Sequence, residues 1–302
     1  MKITVLSLFD GISCGQLALR NLNIDCTYFA SEVNTHAINV TNHHFPDTIQ
    51  LGDVCKIDGS KLPSIDLLIG GSPCQGFSFA GRRLNFEDPR SKLFFEFVRI
   101  LKETNPKYFL LENVLMKKEC IDTISSYLQI QPIRINSNLF SAQNRDRLYW
   151  TNISVDLNKL PKNLHPSKIK DILEPTPNQR YFLRREGLSE YIQEQKKLGL
   201  NTKTSPRGLK FVFQIPKEIF KDSNRARRIL SIDSKCQTAI AHRKSSRILL
   251  DDEIRRITPL EYERLQTLPD NYTSILKDTY RYETVGNGWT VKVIEFLFSF
   301  LK

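Results

Sequence analysis

Cys74 and Glu112 are the two residues whose types and placement point most directly to chemistry. Each follows a run expected to be a buried strand: residues 65–70 lead to Pro73-Cys74-Gln75, and 108–111 lead to Glu112-Asn113-Val114. A thiol and a carboxylate are therefore expected to face one crevice, a pairing suited to attack on an aromatic ring. A thiol must ionise to be a good nucleophile, and a strand-end loop entering a polar, basic crevice is a place where its pKa falls. A cysteine is otherwise by default a small buried core residue. Pro73 and the loop 75–90, with Gly76 and Gly81 as flexible points, favour the catalytic reading, since such a loop can close as a lid. Glu112 ends an apolar run, where an unpaired carboxylate is costly and tends to stay protonated, able to donate to a ring nitrogen. A glutamate satisfied by backbone amides or by a nearby arginine is the equal alternative.

Other residues offer ligand contacts. In Gln143-Asn144-Arg145-Asp146-Arg147, strand alternation is expected to put Arg145 and Arg147 on one face, where they can position a nucleotide or brace Glu112. A solvated turn is the commoner fate of an arginine pair without context. Phe9-Asp10-Gly11-Ile12-Ser13-Cys14-Gly15 reads as a strand, a glycine-containing turn and a helix, a form that lets backbone amides approach a ligand. The Gly-x-Gly-x-x-Gly dinucleotide pattern is absent, so an ordinary tight turn stays open. Glu32 follows the next strand, where an acidic side chain takes ribose hydroxyls or serves as a helix N-terminal carboxylate. Gly52-Asp53-Val54 offers a further contact, or a plain turn.

The elements that must position these residues follow an alternating pattern. Strands are expected at 3–9, 25–31, 65–70 and 108–111, and helices at 15–22, 35–44 and 92–104, which is βαβ grammar. In such doubly wound sheets ligands sit at the carboxyl ends of the strands, where these motifs fall. After Trp150 the texture changes to a stretch rich in Lys, Arg and Asn and punctuated by Pro161, Pro166, Pro175 and Pro177, with one clear strand at 211–215. A second, smaller domain is expected there. Residues 254–266 read as helix, with Thr258-Pro259-Leu260-Glu261 as a capping box. The apolar run 291–301 is expected to pack back on the first domain, giving 1–165 completed by 270–302, and 166–269.

A chain of 302 residues with 40% hydrophobic content can bury a substantial core. Lys and Arg outnumber Asp and Glu by 44 to 33, a net charge of +11 that favours a polyanionic partner such as nucleic acid. The six cysteines show no metal-ligand spacing, so reduced thiols and no metal are expected. The N-terminal apolar run is too short for a signal segment and no stretch reaches membrane-spanning length, so an intracellular, cytoplasmic protein without membrane association is expected.

Taken in order, Phe9-Asp10-Gly11, Glu32, Gly52-Asp53-Val54, Pro73-Cys74-Gln75, Glu112-Asn113-Val114, Gln143-x-Arg145-x-Arg147, Arg264-Leu265-Gln266 and Gly286-Asn287-Gly288 resemble the motif series of cytosine-C5 DNA methyltransferases. The resemblance covers 1 to about 155 and about 250 to 302, with the middle as the family's target-recognition region. Ser31-Glu32-Val33, Gly70-Gly71-Ser72-Pro73-Cys74 and Trp289-Thr290-Val291 look like the animal de novo branch. Ser13-Cys14 departs from a second glycine pair that is common in bacterial members, which bears on the methionine end of the cofactor pocket.

The resemblance implies a Rossmann-like sheet that binds S-adenosylmethionine. It implies Phe9 against the adenine, the backbone of Asp10, Gly11, Ile12 and Ser13 near the methionine, Glu32 and Val33 at the ribose, and Asp53 and Val54 on the adenine. Pro73 is expected beside the cofactor, with Asn287, Trp289 and Thr290 closing the pocket. A cytosine is flipped from duplex DNA, Cys74 adds to C6, and Glu112 steadies N3 and the exocyclic amine. Arg145 is expected to hold the flipped nucleotide, with Arg147 in support. DNA contacts are expected from Gln75, Ser78, Arg82, Arg83 and Gln143, and from Arg207, Arg227, Gln237 and Thr238 within a basic stretch running from Lys203 to Arg247. A cognate restriction endonuclease is a candidate partner, and a monomer is expected.

Three rivals remain open on sequence alone. A transfer-RNA methyltransferase on the same scaffold characteristically carries Cys-Phe-Thr, which is not found here. A catalytically silent DNA-binding relative would tend to lose residues that this chain keeps, and a nicotinamide oxidoreductase leaves Cys74 unexplained.

Overall fold

The computed structural model describes residues 2–72, 89–200 (side chains from 92 onward), 204–242 and 245–302. Its elements, in chain order, are β1 (Ile3–Leu8), α1 (Cys14–Asn21), β2 (Cys26–Ser31), α2 (Thr35–His44), β3 (Ile49–Gln50), β4 (Leu67–Gly70), α3 (Pro89–Thr104), β5 (Tyr108–Val114), α4 (Lys118–Leu128), β6 (Ile133–Asn136), β7 (Gln143–Asn144) and β8 (Asp146–Thr151). They continue as α5 (Leu188–Lys197), β9 (Phe211–Gln214), α6 (Asn224–Arg227), β10 (Arg228–Ser231), β11 (Cys236–Gln237), β12 (Arg247–Leu250), β13 (Glu253–Arg256), α7 (Pro259–Leu265), α8 (Asp278–Asn287) and α9 (Val291–Phe298). The chain divides into two compact units, one comprising Met1–Asn136, Asp146–Leu160 and Val293–Lys302, the other Ser137–Arg145 and Pro161–Lys292.

The first unit carries a sheet ordered β3-β2-β1-β4-β5-β8-β6. Its strands from β3 to β5 are parallel, and β8 runs antiparallel to both β5 and β6. Parallel neighbours need crossovers, and α1, α2 and α3 supply them, so the central strands are covered on both faces. Val5, Leu6, Leu8, Leu67, Leu68 and Ile69 are accordingly inaccessible to solvent. Phe94, Phe97 and Ile100 of α3 join Leu68, Leu111 and Trp150 in one core. A Cβ at Gly70 would lie 3.0 Å from the Phe97 ring and 3.1 Å from the Leu8 carbonyl oxygen, so glycine permits this close approach of helix to strand. The order of strands reverses between β1 and β4, which places the turn after β1 and the segment after β4 at the switch point of the sheet.

The second unit has a small sheet ordered β13-β12-β10-β9 and a parallel pair formed by β7 and β11. Asp251 and Asp252 both take positive φ between β12 and β13, as a two-residue hairpin requires. Ile229, Ile254, Val212, Phe213, Leu188 and Ile192 form the core of this sheet. Thr258 and Glu261 form the expected capping box at α7. The helix does not extend back to residue 254, however, because 253–256 pair with β12 and Pro259 occupies the first turn. The Arg255 and Glu261 side chains, both fully inaccessible, form a two-pronged ion pair at 2.9 and 2.7 Å.

The compact units depart from the boundaries expected from sequence. Residues 270–292 belong with the second unit, where Tyr282 meets Tyr262 edge-on and Arg281 reaches Glu263. From Val293 the chain returns to the first unit, where Glu295 accepts from Asn21, as the apolar C-terminal run led us to expect. Among the described residues no helix is long and apolar enough to cross a membrane. The buried Arg255 and Glu261 pair makes a testable demand, since removing one partner strands the other charge. Glu261→Gln, which keeps an acceptor for the Thr258 amide, should cost about 3–5 kcal/mol in urea unfolding, while the same substitution in an Arg255→Met chain, where no charge is stranded, should cost far less.

Candidate active site

Pro73, Cys74, Gln75, Ser78, Arg82 and Arg83, and the expected lid at 75–90, lie outside the described residues. The chain leading to them is anchored beside Glu112. Gly70 pairs with Leu111 across the sheet, and the Asn113 amide donates to the Ser72 carbonyl and hydroxyl at 3.4 and 3.3 Å. Ser72 is thus tied to the residue next to Glu112, and Cys74 follows it by two positions.

Glu112 does not end its strand. Antiparallel pairing with β8 runs on to Val114 opposite Arg147, so Glu112 lies within β5, opposite Tyr149. Arg147 is on the same face, two residues along β8, and its Nε lies 2.8 Å from Glu112 Oε1. The carboxylate is 8% exposed, so an opposed charge at this distance offsets much of the cost of its burial. Arg147 thus braces Glu112, as the sequence reading of this arginine allowed. The expectation that Arg145 shares a face with Arg147 does not hold, because the pairing changes between them: β7 pairs with β11, while β8 pairs with β5 and β6.

The turn after β1 is built from long-range contacts. Phe9, Gly11 and Ser13 all have left-handed φ, at 58°, 61° and 54°. Glu32 Oε2 accepts from the Gly11 amide at 2.8 Å, and Oε1 accepts from the Val33 and Asn34 amides at 2.8 Å each. The carboxylate therefore joins the turn to the start of α2, while Val33 is exposed. Asp10 accepts from the Tyr28 hydroxyl at 2.8 Å and from the Ser13 hydroxyl. Ser13 in turn accepts from Thr41 at 3.1 Å. Ile12 and Ser13 are both fully inaccessible, backbone included, so neither offers the cofactor contact expected of it, and Gly11 is the accessible one of the three. Asp53 caps the short 3-10 turn at Val54 by accepting from Cys55 N at 3.0 Å, and Val54 is buried. A Cβ at Gly11 or at Gly52 would meet nothing within 4 Å, so open space adjoins both motifs. Sequence reading missed Tyr28 and Thr41, since neither lies near Asp10 in the chain and no local pattern marks them.

The second unit brings the other motifs together as a buried network. Arg145 donates to the carbonyls of Ala239, Gly286 and Gly288 at 3.0, 3.2 and 2.9 Å. Gln143 donates to Gln266 Oε1 at 2.9 Å and the Leu265 carbonyl at 3.0 Å, and accepts from the Ala239 amide at 2.7 Å. Gln266 donates to the Val285 and Gly288 carbonyls, and Thr290 donates to Gln266 and meets Ser137 at 2.8 Å. Trp289 is buried and Asn287 exposed. Several expected DNA contacts are corrected by this burial. Gln143 is fully inaccessible, Gln237 is held in the β11 pairing, and Arg227 is 6% exposed and spends its guanidinium on the Ile215 carbonyl and Asn224. Lys235, also in the basic stretch, donates to the carbonyls of Ser141, His165 and Ser167, and burial pushes its ammonium down to about 8. Thr238 donates to the Asn144 carbonyl at 2.7 Å and is partly buried. Arg207 is exposed, as a DNA contact requires.

The sequence profile of the C-5 cytosine-specific DNA methylases matches residues 3–302. The chain belongs to this family. It is similar to the Type II methyltransferase M1.ScrFI of Lactococcus lactis subsp. cremoris, 31% identical over 314 residues that cover 97% of this chain and 76% of that protein. It is also similar to the orphan methyltransferase M.SPRI of Bacillus phage SPR, 41% identical over 187 residues that cover 57% of this chain and 43% of the phage protein, less than half its length. Among solved structures, the Entamoeba histolytica methyltransferase EhMeth covers 100% of this chain and 99% of its own at a TM-score of 0.70 and 20% identity, a likeness of fold. The expected doubly wound, Rossmann-like methyltransferase fold and the cytosine-C5 DNA methyltransferase family are both borne out.

Burial pushes the Asp10 carboxyl up to about 6, against hydrogen bonds from Ser13, Ser7 and Tyr28 that favour the charged form. An acid whose folded pKa lies above its unfolded value holds its proton more tightly when folded. Its contribution is therefore fully present below the unfolded value of 3.8 and is lost as pH rises through about 6. Between these limits the wild-type chain should lose stability relative to Asp10→Asn by at most about 3 kcal/mol, read by denaturant unfolding at a series of pH values.

Proposed function

We propose that this chain is an S-adenosylmethionine-dependent DNA (cytosine-5-)-methyltransferase acting on a cytosine flipped out of a specific duplex sequence. The observation that carries the reading is the junction of β4 and β5. Asn113 fastens Ser72 two residues before Cys74, while Arg147 holds the adjacent Glu112 carboxylate at 2.8 Å. The Cys74 thiolate adds to C6 of the ring, moving electron density to C5, as Glu112 steadies N3 and the exocyclic amine. After C5 takes the methyl group, its proton is removed, the C5–C6 double bond re-forms, and the Cys74 sulfur leaves with the electron pair of its bond to C6. Arg147 sets the orientation and charge balance of Glu112. Arg145, whose guanidinium is committed to three carbonyls, supports the nucleotide site through the backbone it braces.

The residues at the switch point suit S-adenosylmethionine, which supplies an electrophilic methyl group when bound. The Glu32 carboxylate is pre-oriented by three amides for ribose hydroxyls, and open space adjoins Gly11 and Gly52. Phe9, Asp53 and Val54 are the proposed adenine contacts, with Asn287, Trp289 and Thr290 contributing from the C-terminal motif. Duplex DNA is the proposed substrate, bound as a monomer in the cytoplasm of a bacterium or a phage-infected cell. A cognate restriction endonuclease is a proposed partner, supported by the Type II name of the lactococcal relative. The motif spellings shared with the animal de novo branch support a compact target region of that kind.

Transfer of labelled methyl from S-adenosylmethionine to duplex DNA and, in parallel, to transfer RNA tests the proposal. Label should appear at C5 of cytosine in DNA, at one sequence context, and vanish with Cys74→Ala. Labelling of transfer RNA alone, or of neither, would reject it. Glu112→Gln should slow transfer by about 10²-fold or more while leaving the Cys74 thiol in place.

A further inference from the structure

The turn between β1 and α1 asks for left-handed backbone at three alternate positions, and glycine occupies only the middle one. Phe9 and Ser13 occupy the other two. Ser13 stands at the N-cap of α1 with φ 54° and ψ 41°, makes no side-chain cap to the helix, and is fully inaccessible. L-residues avoid this region because Cβ approaches the following carbonyl, and serine ordinarily takes an extended conformation at an N-cap so that its hydroxyl can accept from the helix amides. Here the hydroxyl is engaged elsewhere.

Its partners form a directed chain of donors. The Ser13 hydroxyl donates to Asp10 Oδ2, so its oxygen is left to accept, and Thr41 Oγ1 donates to it at 3.1 Å. On the other carboxylate oxygen, Tyr28 donates to Asp10 Oδ1 at 2.8 Å. Thr41 also lies 3.4 Å from the Gly11 carbonyl oxygen. Tyr28 and Thr41 are themselves 2% and 0% exposed, and they come from β2 and α2, two elements that flank the turn. Chains of hydrogen bonds in a low-dielectric interior strengthen one another, and breaking one leaves a buried polar group unsatisfied.

We infer that Tyr28 and Thr41 are positioning residues for cofactor binding, fixing Asp10 and Ser13 so that the turn holds, with a serine, the backbone shape a glycine would adopt unaided. The inference rests on the reading of this turn as the S-adenosylmethionine site. It assigns to two side chains that need not touch the cofactor the task of fixing the turn so that its backbone at Gly11 is presented to it. Because the turn is ordered by its own contacts, the ordering is complete before the cofactor arrives and need not be drawn from binding energy.

Calorimetry with S-adenosylmethionine on the full chain, with KM for cofactor and for DNA measured alongside, tests the inference. Thr41→Val and Tyr28→Phe should each weaken cofactor binding about tenfold, the scale of one buried hydrogen bond, with the change confined to KM for the cofactor. Thr41→Ser, which keeps the hydroxyl, should bind as the wild type does. In a Ser13→Gly chain, Thr41→Val should cost less than twofold, since glycine needs no hydroxyl to hold the turn. Wild-type affinity in both Thr41→Val and Tyr28→Phe would overturn the inference. So would a Thr41→Val penalty that persists undiminished in the Ser13→Gly chain, or failure of Thr41→Ser to bind normally. Failure of the wild-type chain to bind S-adenosylmethionine would instead overturn the cofactor reading, and the two results are read from separate titrations.

Discussion

A guanidinium withdrawn from water has to be surrounded by acceptors, and the way Arg145 meets that requirement organises the second unit. Its three acceptors are carbonyls from distant parts of the chain, Ala239, Gly286 and Gly288. Each is a fixed point that other residues use. Gln266 donates to the same Gly288 carbonyl, and Gln143 accepts from the amide of Ala239 while donating to Gln266. The crossing is close enough that a Cβ at Gly286 would fall 2.3 Å from the Ile240 carbonyl carbon and 2.4 Å from the Ala241 amide nitrogen. Glycine is required there by contact rather than by torsion. Deleting Arg145 would remove this donor from the Ala239 and Gly286 carbonyls, leave Gly288 with Gln266 alone, and loosen the surroundings of Gln143 and Gln266 together.

Two residues further on, the same stretch of sequence does something different. Arg147 belongs to β8 in the first unit and lies against Glu112. The Gln-x-Arg-x-Arg pattern was legible as a motif, but simple alternation misassigned its geometry. Alternation presumes one continuous strand, whereas β7 and β8 are separate strands that pair with different partners. The two arginines thus divide the work, one spent on backbone and one left beside the carboxylate.

The first four elements were read from sequence almost to the residue, because parallel strands buried on both faces leave uninterrupted apolar runs between polar, helix-capping residues. Thr35–His44 is an instance, begun by Asn34, which accepts from the His36 and Ala37 amides. Legibility failed where pairing overrides local character. Residues 254–256 carry helix-like neighbours but complete a hairpin with β12, and Glu112 is polar yet continues β5 because β8 pairs with it there. It failed again with charge. The basic stretch was counted as DNA-facing, but Arg227 and Lys235 are turned inward onto carbonyls, as is Arg247, which donates to the Ala226 carbonyl. A cation's side chain looks the same in sequence whether it meets phosphate or peptide, so net charge overstates the surface available to a polyanion.

The turn after β1 shows the same limit in a more local form. Gly11 announces left-handed backbone in the sequence because glycine reaches it freely, but Phe9 and Ser13 adopt it too, and nothing in their identities says so. What holds the Ser13 conformation is Asp10, held in turn by Tyr28 from the neighbouring strand and joined through Ser13 to Thr41 on the next helix. A carboxylate at position 10 is intelligible only with those donors, since burial alone works against its charge. The shape of the turn is therefore a tertiary property, and Ser13-Cys14 in place of a second glycine pair goes with a different set of supports for the backbone.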